Sequence, residues 1–275
     1  MKLLKIAIFG GGNMGLAFAR AMLKAAIVKR SDLLVIDRSI SRKPFILKEL
    51  KCSVKEKADK SIENYDLVFL AVKPQDAKIL LDKISPFIKP NQFIISLMTG
   101  IKLADLSTEL NDHNKIVRSM PNLPAHVQKG ITVYKSFKKL SFKQKSLVEK
   151  VLGSAGITLE VKNESLIDAA TAVPGTGPGY FFYFLEYMIA AACKLGFSKE
   201  EAELLIKETM RGTLELWQQT NLSPAELRKK VTSKGGTTNA AIRIFDKSGL
   251  GDLIIKGMLA ADSRARELSD LNSKS

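Results

Sequence analysis

A glycine-rich turn lies close to the start of the chain. Gly10, Gly12 and Gly15 form the pattern G-x-G-x-x-G, directly after the apolar run Ile6–Phe9 and before an amphipathic helical stretch. In that context the first glycine permits a tight turn, the second lets a pyrophosphate approach the backbone, and the third lets helix and strand pack closely. The N–H groups and positive potential of the helix N-terminus favour a bound phosphate. The turn therefore predicts a dinucleotide site, with a ligand-free glycine turn as the alternative.

The next apolar strand ends in residues that could select between two dinucleotides. Asp37 follows the glycines at the distance where a carboxylate binds the ribose 2′-hydroxyl of NAD(H). Arg38 and Ser39 come directly after it, with Arg42 and Lys43 nearby, and a guanidinium plus a hydroxyl suits the 2′-phosphate of NADP(H). We expect NADPH as the cofactor, with NADH as the alternative. If Asp37 only caps a turn beside a solvated Arg38, the choice stays open.

Four further segments could line the rest of the cleft. Ligands of an open parallel sheet bind beyond the carboxyl ends of its strands, where the sequences AVKP at 71–74 and MPNLPA at 120–125 are expected. Two glycine-rich interruptions, at 171–180 and 231–238, precede helices in the second half of the chain and can present N–H groups to an anion. These segments predict where the reacting end of the ligand is bound.

The first part of the chain alternates short apolar strands with helical stretches. The strands are predicted at 6–9, 33–36, 66–72, 92–97, 115–118, 131–134 and 157–161. This alternation is typical of an α/β fold, an N-terminal Rossmann-like doubly wound sheet that is parallel and covered on both faces. We therefore expect a dinucleotide-binding domain at 1–162.

From residue 163 onward the apolar residues recur with helical period. Capping boxes at Ser198 with Glu201 and at Ser223 with Glu226 mark helix starts. The apolar stretch at 180–193 exceeds what a small domain needs for its own core. We expect an all-helical C-terminal domain at 163–275 that binds substrate and forms a homodimer, with a higher oligomer of dimers as the alternative.

Composition argues against several classes of protein. The formal net charge is +15, but the lysines are spread over nearly every segment as solvated faces, so no nucleic-acid partner is expected. Cys52 and Cys193 lie far apart without a CxxC spacing, which favours neither a disulfide framework nor a zinc site and fits the reducing cytoplasm. The chain has no signal-peptide pattern and no apolar stretch long enough for a membrane span. We expect a cytoplasmic enzyme without metal or membrane partner.

Five motifs, in order, resemble those of the pyrroline-5-carboxylate reductase family: G-x-G-N-M, A-V-K-P, M-P-N-T-P-A, T-A-x-S-G-S-G-P-A-Y and S-P-G-G-T-T. The resemblance covers nearly the whole chain and implies reduction of the C=N bond of 1-pyrroline-5-carboxylate to L-proline with NAD(P)H, the last step of proline biosynthesis. The sequence departs from the family pattern at Leu123, Pro174, Thr176, Gly179 and Lys234. These departures bear on the substrate pocket, so another imine or carbonyl reductase of the same two-domain plan is the alternative. A non-catalytic dinucleotide-binding protein is a further one, although the GGTT loop is intact.

The resemblance also implies roles for individual residues. The loop that precedes a late helix grips the substrate carboxylate, and Thr238 touches the ring nitrogen as the catalytic hydroxyl, with simple helix capping as its alternative. The expected substrate-binding residues are Ser233, Gly235, Gly236, Thr237 and Thr238. The expected cofactor-binding residues are Gly10, Gly12, Asn13, Met14, Gly15, Arg38, Ser39, Ala71, Val72, Lys73, Pro74 and Asn122.

Overall fold

The computed structural model describes residues 3–272 of the chain. Residues 1, 2 and 273–275, which belong to the two predicted domains, lie outside the described residues. The strands are β1 (Ile6–Phe9), β2 (Leu33–Ile36), β3 (Ser53–Lys55), β4 (Leu67–Leu70), β5 (Phe93–Ser96), β6 (Ile116–Met120), β7 (Gly130–Ser136) and β8 (Gly156–Glu160). They form one sheet in the order β3-β2-β1-β4-β5-β6-β7-β8.

The strand order reverses between β1 and β4, which both pair in parallel with their neighbours. In doubly wound sheets a ligand binds beyond the carboxyl ends of the strands at such a reversal. The glycine turn follows β1 directly, so the chain places it at this point of the sheet. The predicted Rossmann-like fold is confirmed.

The helices are α1 (Asn13–Lys24), α2 (Lys43–Leu50), α3 (Ala77–Ile84), α4 (Leu103–Glu109), α5 (Phe142–Gly153), α6 (Ser165–Ala170), α7 (Gly177–Lys194), α8 (Lys199–Gln218), α9 (Pro224–Lys230), α10 (Thr237–Lys247) and α11 (Leu250–Asn272). Strands β1, β2, β4 and β5 are buried along their whole length, as strands covered on both faces must be. One apolar core packs α1, α2 and α5 against one face of the sheet. A second core packs α3 and α4 against the other face.

The sheet differs from the predicted one at both of its ends. Strand β7 runs antiparallel to β6, because the connection at 121–129 is too short to hold the crossover that a parallel pair requires. The parallel sheet that the alternation of strands and helices predicts is confirmed for β1, β2, β4, β5 and β6, and the sequence patterns had predicted no direction for the strand at 131–134. Strand β3 was missed because only one of its three residues, Val54 of Ser53–Lys55, is apolar and none is fully buried. It extends the sheet beyond β2 in parallel.

The second half of the chain is helical, as predicted. The expected capping boxes are present at the starts of α8 and α9. The hydroxyls of Ser198 and Ser223 each accept a hydrogen bond from a backbone N–H, and the N–H of each serine donates to the carboxylate of Glu201 or Glu226. In the described residues, no helix combines the length and the apolar composition that crossing a membrane requires.

The contacts divide the chain into two compact units. One unit contains the residues up to Pro178 together with those from Ala261 on. The other unit contains the residues from Gly179 to Ala260. The predicted boundary at residue 162 rests on the change from strands to helices between β8 and α6. It stays a prediction about domain organisation.

Candidate functional site

The glycine turn has the geometry of a phosphate cradle. Gly10 has a φ of +102°, and a Cβ on it would collide with the carbonyl oxygen of Ala71. A Cβ on Gly15 would collide with the carbonyl oxygen of Gly10. Gly12 differs, because no heavy atom of the described residues lies within 4 Å of the position its Cβ would take. It is also the N-cap of α1 and has no side chain with which to cap that helix. The open side of the turn and the uncapped N–H groups together fit a pyrophosphate.

The middle residue of the turn, Gly11, is bound by side chains that follow β2. Asp37 Oδ2 accepts a hydrogen bond from the Gly11 N–H at 2.7 Å, and Arg42 Nη2 donates one to the Gly11 carbonyl oxygen at 2.6 Å. The other Asp37 oxygen, Oδ1, accepts from the Ser39 N–H at 2.8 Å. Both oxygens of Asp37 are thus engaged by backbone N–H groups. The bond from Ser39 is the turn capping that the sequence offered as an alternative, whereas the bond from Gly11 was not predicted.

Arg38 and Ser39 lie at the same edge of the sheet as the segment that follows β4. Arg38 is largely exposed, and its Nη1 donates to Asp76 Oδ1 at 2.7 Å. Asp76 belongs to the short 3₁₀ turn Pro74–Asp76, which begins directly after the AVK sequence. The Ser39 and Ser41 hydroxyls lie 2.9 Å apart. A guanidinium and two hydroxyls in one exposed loop are groups that can bind a phosphate.

The AVKP segment borders the glycine turn directly. The Ala71 N–H donates to the Phe9 carbonyl at 2.8 Å, while Gly10 packs against the backbone of Ala71 and Val72. Lys73 is exposed, and Pro74 begins the turn that carries Asp76. The structure therefore brings together the predicted cofactor residues at 10–15, 38–39 and 71–74.

Asn122 holds the loop between β6 and β7. Its Oδ1 accepts a hydrogen bond from the Ile131 N–H at 2.9 Å. The 3₁₀ turn that follows it, Leu123–Val127, packs against α1. Asn122 therefore has a structural task of its own in addition to the cofactor contact expected of it.

The glycine-rich segment at 171–180 begins with a π-helical turn, Thr171–Gly175. Pro174 has no N–H to donate to the preceding helical turn, and the wider turn closes through the Thr176 N–H, which donates to the Thr171 carbonyl at 2.9 Å. A Cβ added to Gly175 would lie 3.7 Å from the sulfur of Met120. The π turn therefore packs against the carboxyl end of β6, where Met120 precedes the loop that contains Asn122.

A buried arginine connects this region to the sheet. Arg118 of β6 is 1% exposed, and its Nη1 and Nη2 donate to Glu164 and Asp168 at 2.8 and 2.5 Å. Glu164 immediately precedes α6, and Asp168 lies within it. These bonds attach α6, and with it the π turn, to β6. Sequence reasoning missed this arginine, and its place inside an otherwise buried strand was the signal that could have found it.

The loop before α10 carries the predicted substrate-binding residues and is described within its own unit. Gly235 has a φ of +77°, and the Gly236 N–H donates to the Ser233 carbonyl at 3.0 Å. A Cβ on Gly236 would collide with Ser233 Oγ. Gly236 is the N-cap of α10 and has no capping side chain, and Thr237 and Thr238 are the first residues of the helix. The loop thus presents an uncapped helix N-terminus, which favours an anion.

Two titratable groups in the core, outside these loops, have pKa values shifted by burial. Burial raises the pKa of the Cys52 thiol to about 11. Desolvation lowers the pKa of His113, whose ring nitrogen Nε2 lies 3.0 Å from the Gln92 carbonyl. These groups belong to the core of the sheet and its helices. In residues 3–272 no group of three or more His, Cys, Asp or Glu side chains could hold a metal ion.

Comparison with known proteins gives a consistent result over both halves of the chain. Residues 164–268 match the family model for pyrroline-5-carboxylate reductase dimerisation, and residues 5–100 match the model for the coenzyme F420-dependent NADP oxidoreductases. The pyrroline-5-carboxylate reductase of Pseudomonas aeruginosa is 35% identical over 266 residues, with 97% of each chain covered. Pyrroline-5-carboxylate reductase 2 of Bacillus subtilis is 32% identical, with 97% of this chain and 95% of that protein covered.

Solved structures agree with these sequence relatives. The pyrroline-5-carboxylate reductase of Coxiella burnetii superposes with a TM-score of 0.87 at 31% identity, covering 97% of this chain and 99% of that one. The pyrroline carboxylate reductase of Plasmodium falciparum, solved with NADP bound, gives a TM-score of 0.88 at 28% identity, covering 98% and 99%. The match extends over the glycine turn, the loops that follow the strands and the helical half alike, and the chain belongs to the pyrroline-5-carboxylate reductase family.

Proposed function

We propose that this protein reduces the C=N bond of 1-pyrroline-5-carboxylate to L-proline with NADPH, the last step of proline biosynthesis. The observation that carries the proposal is that named reductases match nearly the whole chain, including the open glycine turn and the GGTT loop. The bound nicotinamide supplies a hydride. The chain itself has to bind both partners, hold the reacting carbons in line and balance the charge of the substrate.

The cofactor would be held by the residues around the glycine turn. The pyrophosphate fits the open side of Gly12, where Asn13 and Met14 begin α1, while Gly10 and Gly15 keep the turn tight. Arg38 and Ser39 would bind the 2′-phosphate, and this is why we assign NADPH rather than NADH as the preferred donor. The contacts toward the nicotinamide end would come from Ala71, Val72, Lys73, Pro74 and Asn122.

The substrate carboxylate would be bound at the N-terminus of α10. The Thr237 and Thr238 N–H groups belong to the uncapped first turn, and Gly235 and Gly236 give them a backbone approach without a side chain in the way. The Ser233 hydroxyl lies against Gly236 and would support the loop. We assign to the Thr238 hydroxyl the contact with the ring nitrogen, where it orients the imine or donates to the nitrogen as the amine forms.

The assembly and location of the enzyme are part of the proposal. The chain carries the dimerisation domain of its family at 164–268. Many large apolar side chains of α7 and α8 are exposed in the single chain, among them Phe182 and Tyr183 of α7. Burial of such a surface favours a homodimer, and we propose that dimers associate further. We assign the enzyme to the cytoplasm, because its cysteines form no disulfide.

A cofactor oxidation assay tests this proposal. Oxidation of NADPH is followed by absorbance with and without 1-pyrroline-5-carboxylate, and NADH is run in parallel. We expect oxidation that depends on the imine and is faster with NADPH at low cofactor concentration. A protein that oxidises neither cofactor when the imine is added would not be a reductase of this substrate.

A further inference from the structure

The backbone of Gly11 is bound at both its N–H and its carbonyl oxygen by residues that follow β2. Its N–H is bound by the Asp37 carboxylate at 2.7 Å, and its carbonyl oxygen is bound by the Arg42 guanidinium at 2.6 Å. A Cβ on Gly11 would collide with Ile46 Cδ1 and lie 2.9 Å from Asp37 Oδ2. A side chain on Gly11 would therefore displace Ile46 or the Asp37 carboxylate that binds the Gly11 N–H, whereas a side chain on Gly12 would face open space.

The Asp37 carboxylate has a backbone role that does not depend on a ribose. One of its oxygens accepts the Gly11 N–H and the other accepts the Ser39 N–H at 2.8 Å, so the carboxylate is fixed in orientation by two charge-assisted bonds. A ribose hydroxyl would have only the remaining lone pairs of a carboxylate held in this orientation. The acid at the end of β2 therefore does not by itself indicate NADH, because its two backbone contacts already account for its presence.

The Arg42 side chain is only partly exposed and is bound to the backbone of the glycine turn. Its Nε is buried and has no hydrogen-bond partner among residues 3–272, which is a cost that the contact with Gly11 must offset. Arg38 differs, because its side chain is 78% exposed and, within the described part of the chain, only its Nη1 has an acceptor, the carboxylate of Asp76. The two arginines thus have different tasks although they lie in one loop.

We propose that Asp37 and Arg42 are positioning residues that bind the backbone of Gly11 and so fix the phosphate-binding turn, while Arg38 determines whether NAD or NADP is preferred. This inference rests on the proposed function, because it assumes that the turn binds a dinucleotide. A fixed turn benefits every ligand that carries the pyrophosphate, whereas a 2′-phosphate contact benefits NADP alone. The two roles can therefore be separated by comparing NAD⁺ with NADP⁺.

The test is calorimetric binding of NAD⁺ and NADP⁺ to the full chain without substrate. For Arg42→Met we expect Kd to rise about tenfold for both dinucleotides, as loss of one charge-assisted bond implies. For Arg38→Met, the matched control, Kd should rise about tenfold for NADP⁺ and less than about twofold for NAD⁺. Gly11→Ala breaks the same grip without changing any charge and should also weaken both ligands alike. Asp37→Asn keeps the size of the side chain and should do the same.

Each contrary result has a definite meaning. A loss confined to NADP⁺ in Arg42→Met would make Arg42 a phosphate ligand, and a loss confined to NAD⁺ in Asp37→Asn would make Asp37 a ribose ligand; either overturns the proposal. Unchanged Kd values together with a lower melting temperature would leave Arg42 a purely structural residue, which also overturns it. If Arg42→Met does not fold, Arg42→Lys must show an equal loss for both ligands. Wild-type protein that binds neither dinucleotide would contradict the proposed function instead.

Discussion

The residues around the 2′-position of the proposed cofactor site carry opposite charges. Arg38 is the exposed cation, and Asp76 binds one of its nitrogens at 2.7 Å. A carboxylate so close lowers the positive potential that a 2′-phosphate would meet. We therefore expect Asp76 to weaken the proposed preference for NADPH, although neither the glycine pattern nor the strand ends indicate this residue.

Replacing Asp76 tests this view of cofactor choice. Asp76→Asn removes the charge and keeps the size, and we expect the preference for NADPH over NADH, as the ratio of kcat/KM values, to rise about two- to fivefold, the range for an exposed ion pair. Asp82→Asn, on the exposed side of α3, is the matched control for net charge. An equal ratio in both variants would show that Asp76 has no influence on the 2′-site.

Thr238 is the residue whose proposed role is closest to the chemistry. Thr238→Ala removes the hydroxyl assigned to the ring nitrogen, and we expect kcat to fall about tenfold or more, as for loss of a general-acid contact, with KM for NADPH nearly unchanged. Thr238→Ser keeps the hydroxyl and should recover most of the rate. A large rise in KM for NADPH, or an inactive serine variant, would show that this hydroxyl does not do the work assigned to it.

At the scale of elements, one buried arginine holds a helix to the sheet. Arg118 of β6 pairs with Glu164 and Asp168, and Glu164 Oε1 also accepts the N–H of Leu103 at the start of α4. The π turn follows α6 directly, so this ion pair also positions the glycine-rich segment at the carboxyl end of β6.

Removing Arg118 should destabilise the fold more than removing an exposed cation. Arg118→Met leaves two carboxylates near the core without their partner, and we expect the free energy of unfolding to fall by about 3 kcal/mol. Lys145→Met, which breaks an exposed pair with Glu160, should lower the free energy of unfolding far less. Urea unfolding measures both, and equal losses would contradict a special role for Arg118.

The sequence predicts elements well where the pattern is local. Strands β1 and β2 were predicted at their observed residues, and the capping boxes of α8 and α9 were found from serine and glutamate spacing. The short strand β3 was not predicted, because it depends on pairing with β2 rather than on its own residues. The direction of β7 was not predicted either, because it follows from the length of the connection to β6 and not from the residues of the strand. The same holds for the site: the glycines are visible in the sequence, whereas the contacts of Asp37, Arg42 and Asp76 depend on how three loops approach each other.

At the scale of the whole molecule, the single chain leaves a large apolar surface uncovered. Phe181, Phe182, Tyr183 and Tyr187 of α7 are each more than half exposed. A monomer would keep these rings in water, and large exposed apolar surfaces of this kind mark interaction sites. The dimerisation domain explains why these residues are present.

A charge on α7 should therefore dissociate the enzyme. We expect Phe182→Asp to shift the protein from dimer or larger assembly to monomer at micromolar concentration, because a carboxylate would be buried at the interface without a partner. Lys199→Asp, at the N-terminus of α8 where an acid is tolerated, is the control. Sedimentation velocity distinguishes the species, and an unchanged distribution in Phe182→Asp would place the interface elsewhere.

Hydride transfer from NADPH to a cyclic imine is tested most directly by isotope transfer. The protein is incubated with 1-pyrroline-5-carboxylate and NADPH that carries deuterium at C4 of the nicotinamide, on the transferred face. We expect one molecule of L-proline, one mass unit heavier and labelled at the carbon of the former C=N bond, for each NADPH oxidised. Oxidation of NADPH without labelled proline, or no oxidation at all, would contradict it.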